Sequence, residues 1–550
     1  MTRTRVKVIP LGGYGEVGKN CTAIECADDL IAIDCGLMFP EEDMPGVDLA
    51  IPDASYLIEN RDRLRGLVLT HGHEDHLGAL PYVLPNLDVP VYATKLTHGL
   101  LSQKLREHGV SATQVTVRSG ESRRLGDTDV EFFHVDHSMP DCVGVAVHTP
   151  GGTVVHSGDF KFDQTPVDGV PTDFGKLAQL GTDGVLALIC DCVRVERPGQ
   201  TPSERIVAES LDRIFFETTG RVIITTFASN ISRVQQALDT AYRYGRRVAI
   251  VGRSLEGNVA VASELGYLSI PEDTLVSADR ANKLPPDEVV FVVTGSQGEP
   301  TSVLSRIAHD DHRQIKIARG DTVVISASAV PGNEQMVSRT INNLFRLGAD
   351  VIYDSLRPVH VSGHASQEEI KLMLNLVRPK YCIPFHGDFR HMVLFQRLAQ
   401  DVGFPSANVL LPELGQVIEM TNEYAYLNNK VTAGSVLVDG LTIGDVTHVV
   451  LRDRRHLAQD GVLLVSLVVD KQSGEIMGGP DIASRGFILA RETDAFLDEA
   501  RERIMEGIDH KTGIGSNPGA TTQRVKEILG RFVHERTRRK PMILPVVTEI

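Results

Sequence analysis

The sequence predicts an α/β protein in which a mixed α/β region is interrupted by a doubly wound α/β unit and followed by a small C-terminal α+β domain. Three observations carry this prediction. From Arg5 to about Asp191, short β-type runs repeatedly end in histidines and acids. Between about 206 and 356, apolar β-runs alternate regularly with helical segments, the pattern of a parallel sheet covered on both faces. From Val359 the histidine-rich style returns, and the stretch from about 450 to 550 reads as a separate unit. The expected domains are therefore 1–205, an insertion at 206–356, a return at 357–445, and 450–550.

Each element has its own signal. In the first region "RVKVIPL", "LIAID", "GLVLT", "VEFFHV", "TVVHS" and "VLALICD" read as strands, with a helix at Thr94–His108. "TPSE" reads as a capping box, with Thr201 as N-cap, Pro202 at the first helical position and Glu204 at the third, opening a helix that runs to Gly220. Strands "RVIITTF", "RRVAIVG", "EVVFVVTG", "DTVVISAS" and "ADVIYDS" then alternate with helices from about Ser232, near Glu256–Leu265 and over Asn333–Leu347. The last stretch shows two β-runs, a Gly-rich turn "MGGPD", two helices and a final "MILPVV" strand.

Bulk properties exclude several classes. A chain of 550 residues is too long for one core. No apolar run approaches the 18 residues of a membrane span, and "MTRTRVKVIPLGG" lacks the apolar core of a secretion signal. Seven scattered cysteines form no C-x-x-C pair, so neither a disulfide framework nor a zinc ribbon is expected, and the expected location is cytoplasmic. Cys190 and Cys192 read as small buried hydrophobes. A net charge of −16 argues against a surface that grips nucleic acid as a whole. It leaves room for a local strip, since a phosphate backbone needs only a few Lys and Arg. Arg243, Arg246, Arg247 and Arg253, and the run Arg531–Lys540, are candidate strips, although each alone reads as a solvated helix face.

The chemistry concentrates in "LVLTHGHEDHLGALPY", where three histidines and two acids lie within six residues directly after a strand. His71 and His73 can project to one side of the turn, and Asp75 and His76 can serve a second ion close by. Imidazoles and carboxylates are the donors that hold Zn²⁺. Two ions about 3.5–4 Å apart can share a hydroxide and clamp both the attacking and the leaving oxygens of a phosphate. Six residues cannot complete two coordination spheres. His137 and Asp159, each following a β-run, are the best further candidates, with Asp159 able to bridge. His134, His148 and His156 are rivals with a structural reading, and Asp34 fits an acceptor that orients a liganding histidine. Gly12, Gly13, Gly15 and Gly18 read as a hairpin turn at the rim of this site rather than a dinucleotide fingerprint, because no long helix follows.

In order and separation, His71, His73, Asp75, His76, His137 and Asp159 resemble the metallo-β-lactamase superfamily pattern. "DCVRVERPG", "HVSGHASQEE" and "IPFHGD" resemble the extra motifs of its β-CASP branch, with Asp191, His364 and His386 at the motif positions. "LGGYGEVGKN", "DCGLMFPEEDMPGVD", "ISASAVPGNE" and "RPVHVSGHAS" together resemble the ribonuclease J family over nearly the full length. One departure stands out: the family commonly shows Asp-Ser-Thr-Asn where this chain has Asp191-Cys192-Val193-Arg194.

The resemblance implies a metallo-β-lactamase-like αββα sandwich with an inserted β-CASP domain and an active site between them. It implies a two-metal ribonuclease of RNA decay and maturation, 5′-to-3′ exonucleolytic with endonuclease activity. Two Zn²⁺ per chain are expected, with Mn²⁺ or Mg²⁺ as alternatives, His386 as the last ligand of the second metal, and a homodimer or higher homo-oligomer, with other RNA-decay factors as further partners. A histidine at the position of His386 marks the RNA-processing members of the branch, where DNA-repair members carry Val. His364, held by Asp191, is the expected general acid. His360, Val361, Ser362, Gly363, His364, Ala365 and Ser366 are the expected substrate-binding segment for a 5′-monophosphate, with Phe39 stacking on a base. The competing readings are a thioester or lactone hydrolase of the same fold and a non-catalytic RNA-binding subunit. The insertion argues against the first and the complete donor set against the second.

Overall fold

Strands buried along both faces organise the computed structural model, which describes residues 4–40, 44–330, 333–440, 442–471, 476–487, 493–508 and 518–550. Glu41–Asp43 of "DCGLMFPEEDMPGVD" and Pro331–Gly332 of "ISASAVPGNE" lie outside the described residues. The chain divides into two compact units, Met1–Phe39 with Leu49–Val436, and Pro40–Asp48 with Leu437–Ile550.

The first unit contains an eight-stranded and a six-stranded sheet. The eight-stranded sheet runs in the order Ala425–Lys430, Gln416–Met420, Val6–Gly12, Cys21–Cys26, Asp29–Ile33, Leu64–Val68, Val91–Ala93, Gln114–Thr116. The six-stranded sheet runs Tyr381–Phe385, Ala187–Asp191, Gly152–His156, Val143–Thr149, Thr128–His134, Ser122–Leu125. Val8, Ile24, Ile33 and Val68 of one sheet share a continuous apolar core with Phe132, Val145, Val154 and Leu188 of the other. Helices Lys95–Glu107, Phe174–Asp183, Gln367–Val377 and Phe389–Asp401 bury their apolar stripes, completing an αββα sandwich.

The chain leaves the six-stranded sheet at Asp191 and returns at Tyr381, which pairs in parallel with Ala187. Between these points lies a five-stranded parallel sheet, in the order Arg247–Val251, Val289–Val293, Val222–Thr225, Thr322–Ile325, Asp350–Tyr353. Alternation decides its two faces. Val222, Ile224, Val290, Val292 and Val324 join the main core, whereas Ile223, Phe291, Val293, Val323 and Ile325 form a second one. A sheet buried on both faces by crossover helices is the doubly wound arrangement expected from the sequence.

One helix start is corrected. The helix after residue 201 spans Arg205–Glu217, and Thr201 does not cap it. Glu204 cannot reach back to an N-cap because its carboxylate ion-pairs with the buried Arg233 (2.6 Å) and Lys161 (3.4 Å). Capping boxes lie instead at Ser366–Glu369, opening Gln367–Val377, and at Asp388–His391, opening Phe389–Asp401.

The second unit has a three-stranded sheet, Ile476–Arg485, Val462–Val469 and Met542–Glu549. Leu463, Val465 and Leu467 pack with Ile504, Val525, Leu529 and Val533. Two readings change here. "MGGPD" lies inside the strand Ile476–Arg485, where the register shifts opposite Ser466–Val468. Gly479, at φ +83°, supplies the backbone of that bulge, and a Cβ there would meet Ser466 O at 2.4 Å. A further helix, His448–Asp460, precedes the sheet; its charged sequence hides the apolar period.

Candidate metal centre

Topology gathers the site before any side chain is considered. Strands Gly152–His156, Ala187–Asp191 and Tyr381–Phe385 are neighbours in parallel register, so Asp159, Asp191 and His386 leave the sheet at one edge. Across from them the strand Leu64–Val68 ends in the His71–His76 turn, where His73 starts the one-turn helix Glu74–Leu77. The "DCG" segment locks this turn. Cys35 N donates to His76 O (2.7 Å) and Leu37 N to Glu74 O (2.9 Å). A Cβ on Gly36 would overlap Asp75 O at 1.6 Å, so the close approach requires glycine.

Three groups of donor atoms result, each within 4.8 Å. They are His71, His73, His137 and Asp159; Asp75, His76, Asp159 and His386; and Asp159, Asp191, His364 and His386. Asp159 belongs to all three. Its Oδ2 lies 3.1 Å from His76 Nε2, 3.7 Å from His71 Nε2 and 3.9 Å from His137 Nε2, while Oδ1 lies 2.9 Å from His386 Nδ1. All seven residues expected to hold metal, and both expected to act on substrate, are thus brought together.

Partners on the far side of the imidazoles fix which nitrogen faces inward. His76 Nδ1 lies 2.8 Å from Asp34 Oδ2. Thr70 Oγ1 donates to the same oxygen (2.8 Å) and so can accept from His71 Nδ1 at 3.0 Å. His137 Nδ1 donates to Gly363 O at 2.7 Å. In its neutral form each of these rings turns Nε2 and its lone pair toward the centre, the state in which imidazole ligates. Nε2 of His71 is buried without a hydrogen-bond partner.

Charge follows the same division. Burial, then neighbouring histidines, hold His71 and His137 well below the usual imidazole range, and burial takes His73 down to about 4. Burial alone would depress His76 and His386 too. Asp159 with Asp75 and Asp34 instead carries His76 well above that range, and Asp159 with Asp75 carries His386 to about 10. Burial would raise Asp159, but His386, His76 and His364 keep it well below the carboxylate range. Buried carboxylates balanced by imidazolium protons form a site in which a divalent cation can take the place of those protons.

The other expectations sort clearly. His364 Nδ1 meets Asp191 Oδ2 at 2.7 Å, and Ser362 beside it is partly open. Val361, Gly363, Ala365 and Ser366 are buried, and a Cβ on Gly363 would press on the His137 ring at 2.6 Å. His360 Nδ1 is buried without a partner. Phe39 is 70% exposed. His134 donates to Val170 O, His148 contacts Glu131 and His156 packs on Phe385, all outside the donor groups. All seven cysteines are buried and free. The glycine turn does border the centre: Gly13 O accepts from His386 N at 2.6 Å, and Tyr14–Gly15 pairs with Gly387–Asp388. Several arginines of the two candidate strips have protein partners. Arg246 binds Thr218 O and Gly220 O, Arg243 binds Asp212, Arg536 binds Glu499 and Arg539 binds Phe487 O.

Several supporting residues carried no sequence signal. Asn20 Nδ2 contacts Asp75 O (3.2 Å), Asp75 Oδ2 (3.3 Å) and His76 Nε2 (3.0 Å). Glu369 accepts from Phe162 N, Thr201 N and Ser366 N, tying the His364 loop to the strand ends.

Comparison with known proteins agrees along the whole chain. Residues 14–216 match the metallo-beta-lactamase superfamily, 219–344 the ribonuclease J beta-CASP domain, 349–412 the Zn-dependent metallo-hydrolase RNA specificity domain, and 449–550 the ribonuclease J C-terminal domain. Ribonuclease J2 of Bacillus subtilis (strain 168) is 42% identical over 549 residues, covering 99% of each chain. The chain belongs to the ribonuclease J family. Ribonuclease J of Thermus thermophilus is 43% identical over 557 residues, covering 99% of this chain and 95% of the other. A crystal structure of a protein of unknown function from Enterococcus faecalis V583 shares the fold, with TM-score 0.54, 16% identity, and coverage of 76% of this chain and 100% of that one. Within this ribonuclease J family frame, the donor groups belong to the part that matches the metallo-hydrolase models.

Proposed function

We propose that the chain is a metal-dependent ribonuclease that hydrolyses RNA phosphodiester bonds at a two-metal centre, stepwise from a 5′-monophosphate end and also internally. The observation that carries this reading is the sharing of Asp159 among adjacent imidazole–carboxylate groups. A lone metal site needs no shared carboxylate.

The residues present fit a pair of divalent ions. His71, His73, His137 and Asp159 would hold one, and Asp75, His76, Asp159 and His386 the other. The buried, partnerless Nε2 of His71 fits such an ion, since a buried acceptor without a partner is otherwise costly. Imidazole-rich donors favour Zn²⁺, and the carboxylate oxygens admit Mn²⁺ or Mg²⁺. When bound, such ions supply Lewis acidity and water of lowered pKa.

The chain's own residues do the rest. Asp191 accepts from His364 Nδ1 and fixes the ring, so that Nε2 of a protonated His364 can give its proton to the departing 3′ oxygen. Water adds to phosphorus and the P–O3′ bond breaks, leaving a 3′-hydroxyl on one side and a 5′-phosphate on the other, with no 2′,3′-cyclic product. Ser362 and the backbone around His364 border the place of the scissile phosphate, and Phe39 would stack on a base. No helix among the described residues is long and apolar enough to cross a membrane. We place the protein in the cytoplasm as a homodimer acting on RNA, with other RNA-decay factors as further partners.

The test is direct. The purified chain, assayed for metal and incubated with labelled RNA, is expected to carry two ions and to release nucleoside 5′-monophosphates from 5′-monophosphorylated RNA faster than from the triphosphate form. Hydrolysis of thioesters but not RNA, or RNA binding without cleavage by the metal-loaded chain, would overturn the reading.

A further inference from the structure

Arg194 lies three residues beyond Asp191 and is half-buried beside the His364 loop. Its Nε donates to Ser366 Oγ at 3.2 Å. Thr201 Oγ1 completes the same cluster, donating to His364 O at 2.7 Å and meeting Ser366 Oγ at 2.9 Å. The segment 191–194 therefore clamps the segment 364–366 twice, once through Asp191 to His364 and once through Arg194 to Ser366. This pins one edge of the guanidinium near the proposed acid.

The other edge is not spoken for. Among the described residues no carboxylate lies within ion-pair distance of Arg194 Nη1 or Nη2. The acids nearby are otherwise engaged. Both oxygens of Glu369 accept backbone N–H groups at 2.7–2.8 Å. Asp354 is exposed and interacts with Arg194 only beyond ion-pair distance. Arg197, exposed and close in sequence, adds positive charge to the same spot. His360, whose buried Nδ1 has no partner, also feels the charge of Arg194.

The contrast with Arg233 is informative. That arginine is fully buried and is engaged by Glu204, Ser326 Oγ and Val359 O. In a chain of net charge −16, acids are plentiful. A half-buried guanidinium whose Nη edge meets no carboxylate loses hydration that a ligand's anion would offset.

We propose that Arg194 is an RNA-binding residue whose free guanidinium edge receives a phosphate group of the strand next to His364. The planar fork of donors matches two phosphate oxygens, which an ammonium does not. The inference rests on the ribonuclease reading above. The phosphate is either the terminal monophosphate or an internal phosphodiester, and the chemistry of recognition is the same.

The experiment uses the full, metal-loaded chain and two RNA oligomers of one sequence, with a 5′-monophosphate or a 5′-hydroxyl. For Arg194→Ala, KM should rise about 5- to 50-fold with kcat within about threefold, as expected for loss of a charge-assisted hydrogen bond in a partly solvated place. The slope of log(kcat/KM) against log salt should also become shallower by about 0.7, the share of one phosphate contact on a single strand. Arg194→Lys should keep that slope with only part of the affinity, and Arg194→Gln should lose it. This pair carries the test if the alanine variant does not fold. A KM increase confined to the 5′-monophosphate oligomer assigns the terminal phosphate, and an equal increase on both assigns an internal one. Unchanged KM and salt slope in an active protein, or a fall in kcat alone, would overturn this inference and leave the ribonuclease reading standing. Failure of the wild-type chain to cleave either RNA would overturn both.

Discussion

Asp34 Oδ2 accepts hydrogen bonds from both His76 Nδ1 and Thr70 Oγ1, each at 2.8 Å, and Thr70 in turn meets His71 Nδ1 at 3.0 Å. One carboxylate at a strand end therefore sets the tautomers of two histidines that face Asp159. Asp34 stands at φ +59°, a backbone conformation that turns its side chain toward the His71–His76 turn.

Removing this support should cost metal. We expect Asp34→Ala to weaken metal binding about 10- to 100-fold, the usual effect of losing a partner behind a ligating histidine. Competition with a graded series of chelators measures it. Wild-type retention of both ions would show that Asp34 serves folding only.

For His364→Ala we expect kcat to fall by about 10²–10⁴ at neutral pH, the range for general acid–base catalysis, with metal content unchanged. Single-turnover cleavage of 5′-monophosphorylated RNA, with metal analysis of the same sample, separates the two quantities. A normal rate would remove the proton-donor role. Loss of metal would move His364 from proton transfer to the metal shell.

Much of this site was legible in the sequence because strand ends in a parallel register must emerge together. His71, His73, Asp75, His76, His137, Asp159, Asp191 and His386 each end or follow a β-run, and His364 sits in the loop before the helix Gln367–Val377. Asn20, Thr70, Glu369 and Arg194 were not legible as supports, because what they touch is set by loops far apart in the chain. "TPSE" has the composition of a capping box, yet Glu204 is drawn away by Arg233 from a helix that the local sequence does not include. "MGGPD" reads as a turn only until its bulge opposite Ser466 is seen.

The eight-stranded sheet should show a pH signature of its own. Glu25 is buried between Lys7 (2.7 Å), Tyr56 (2.6 Å) and Arg63 (3.0 Å). Burial alone would raise its pKa, but these partners bring it below the ordinary 4.5. The folded state thus binds the proton less tightly than the unfolded chain. Its contribution is fully present above the unfolded value and is lost as pH falls through the folded one. Glu25→Gln should cost about 1–3 kcal/mol at pH 7, and this gap should close as pH falls through the folded value. Urea denaturation at pH 7 and at successively lower pH measures it. A gap independent of pH would mean that the lost contacts do not depend on the carboxylate charge.

Assembly is testable without activity. We expect the full chain to be a homodimer by light scattering, the commonest closed oligomer, and a chain ending near residue 445 to be monomeric. A truncated chain that stays dimeric would place the interface within the catalytic part.

The central claim is that one carboxylate serves two metal positions, and the metal content of Asp159→Ala tests it most directly. Wild-type protein should hold two ions per chain. His386→Ala should keep one of them, and Asp159→Ala should hold neither in an ordered site and should not cleave RNA. Two tightly held ions and full RNA cleavage in Asp159→Ala would contradict the account.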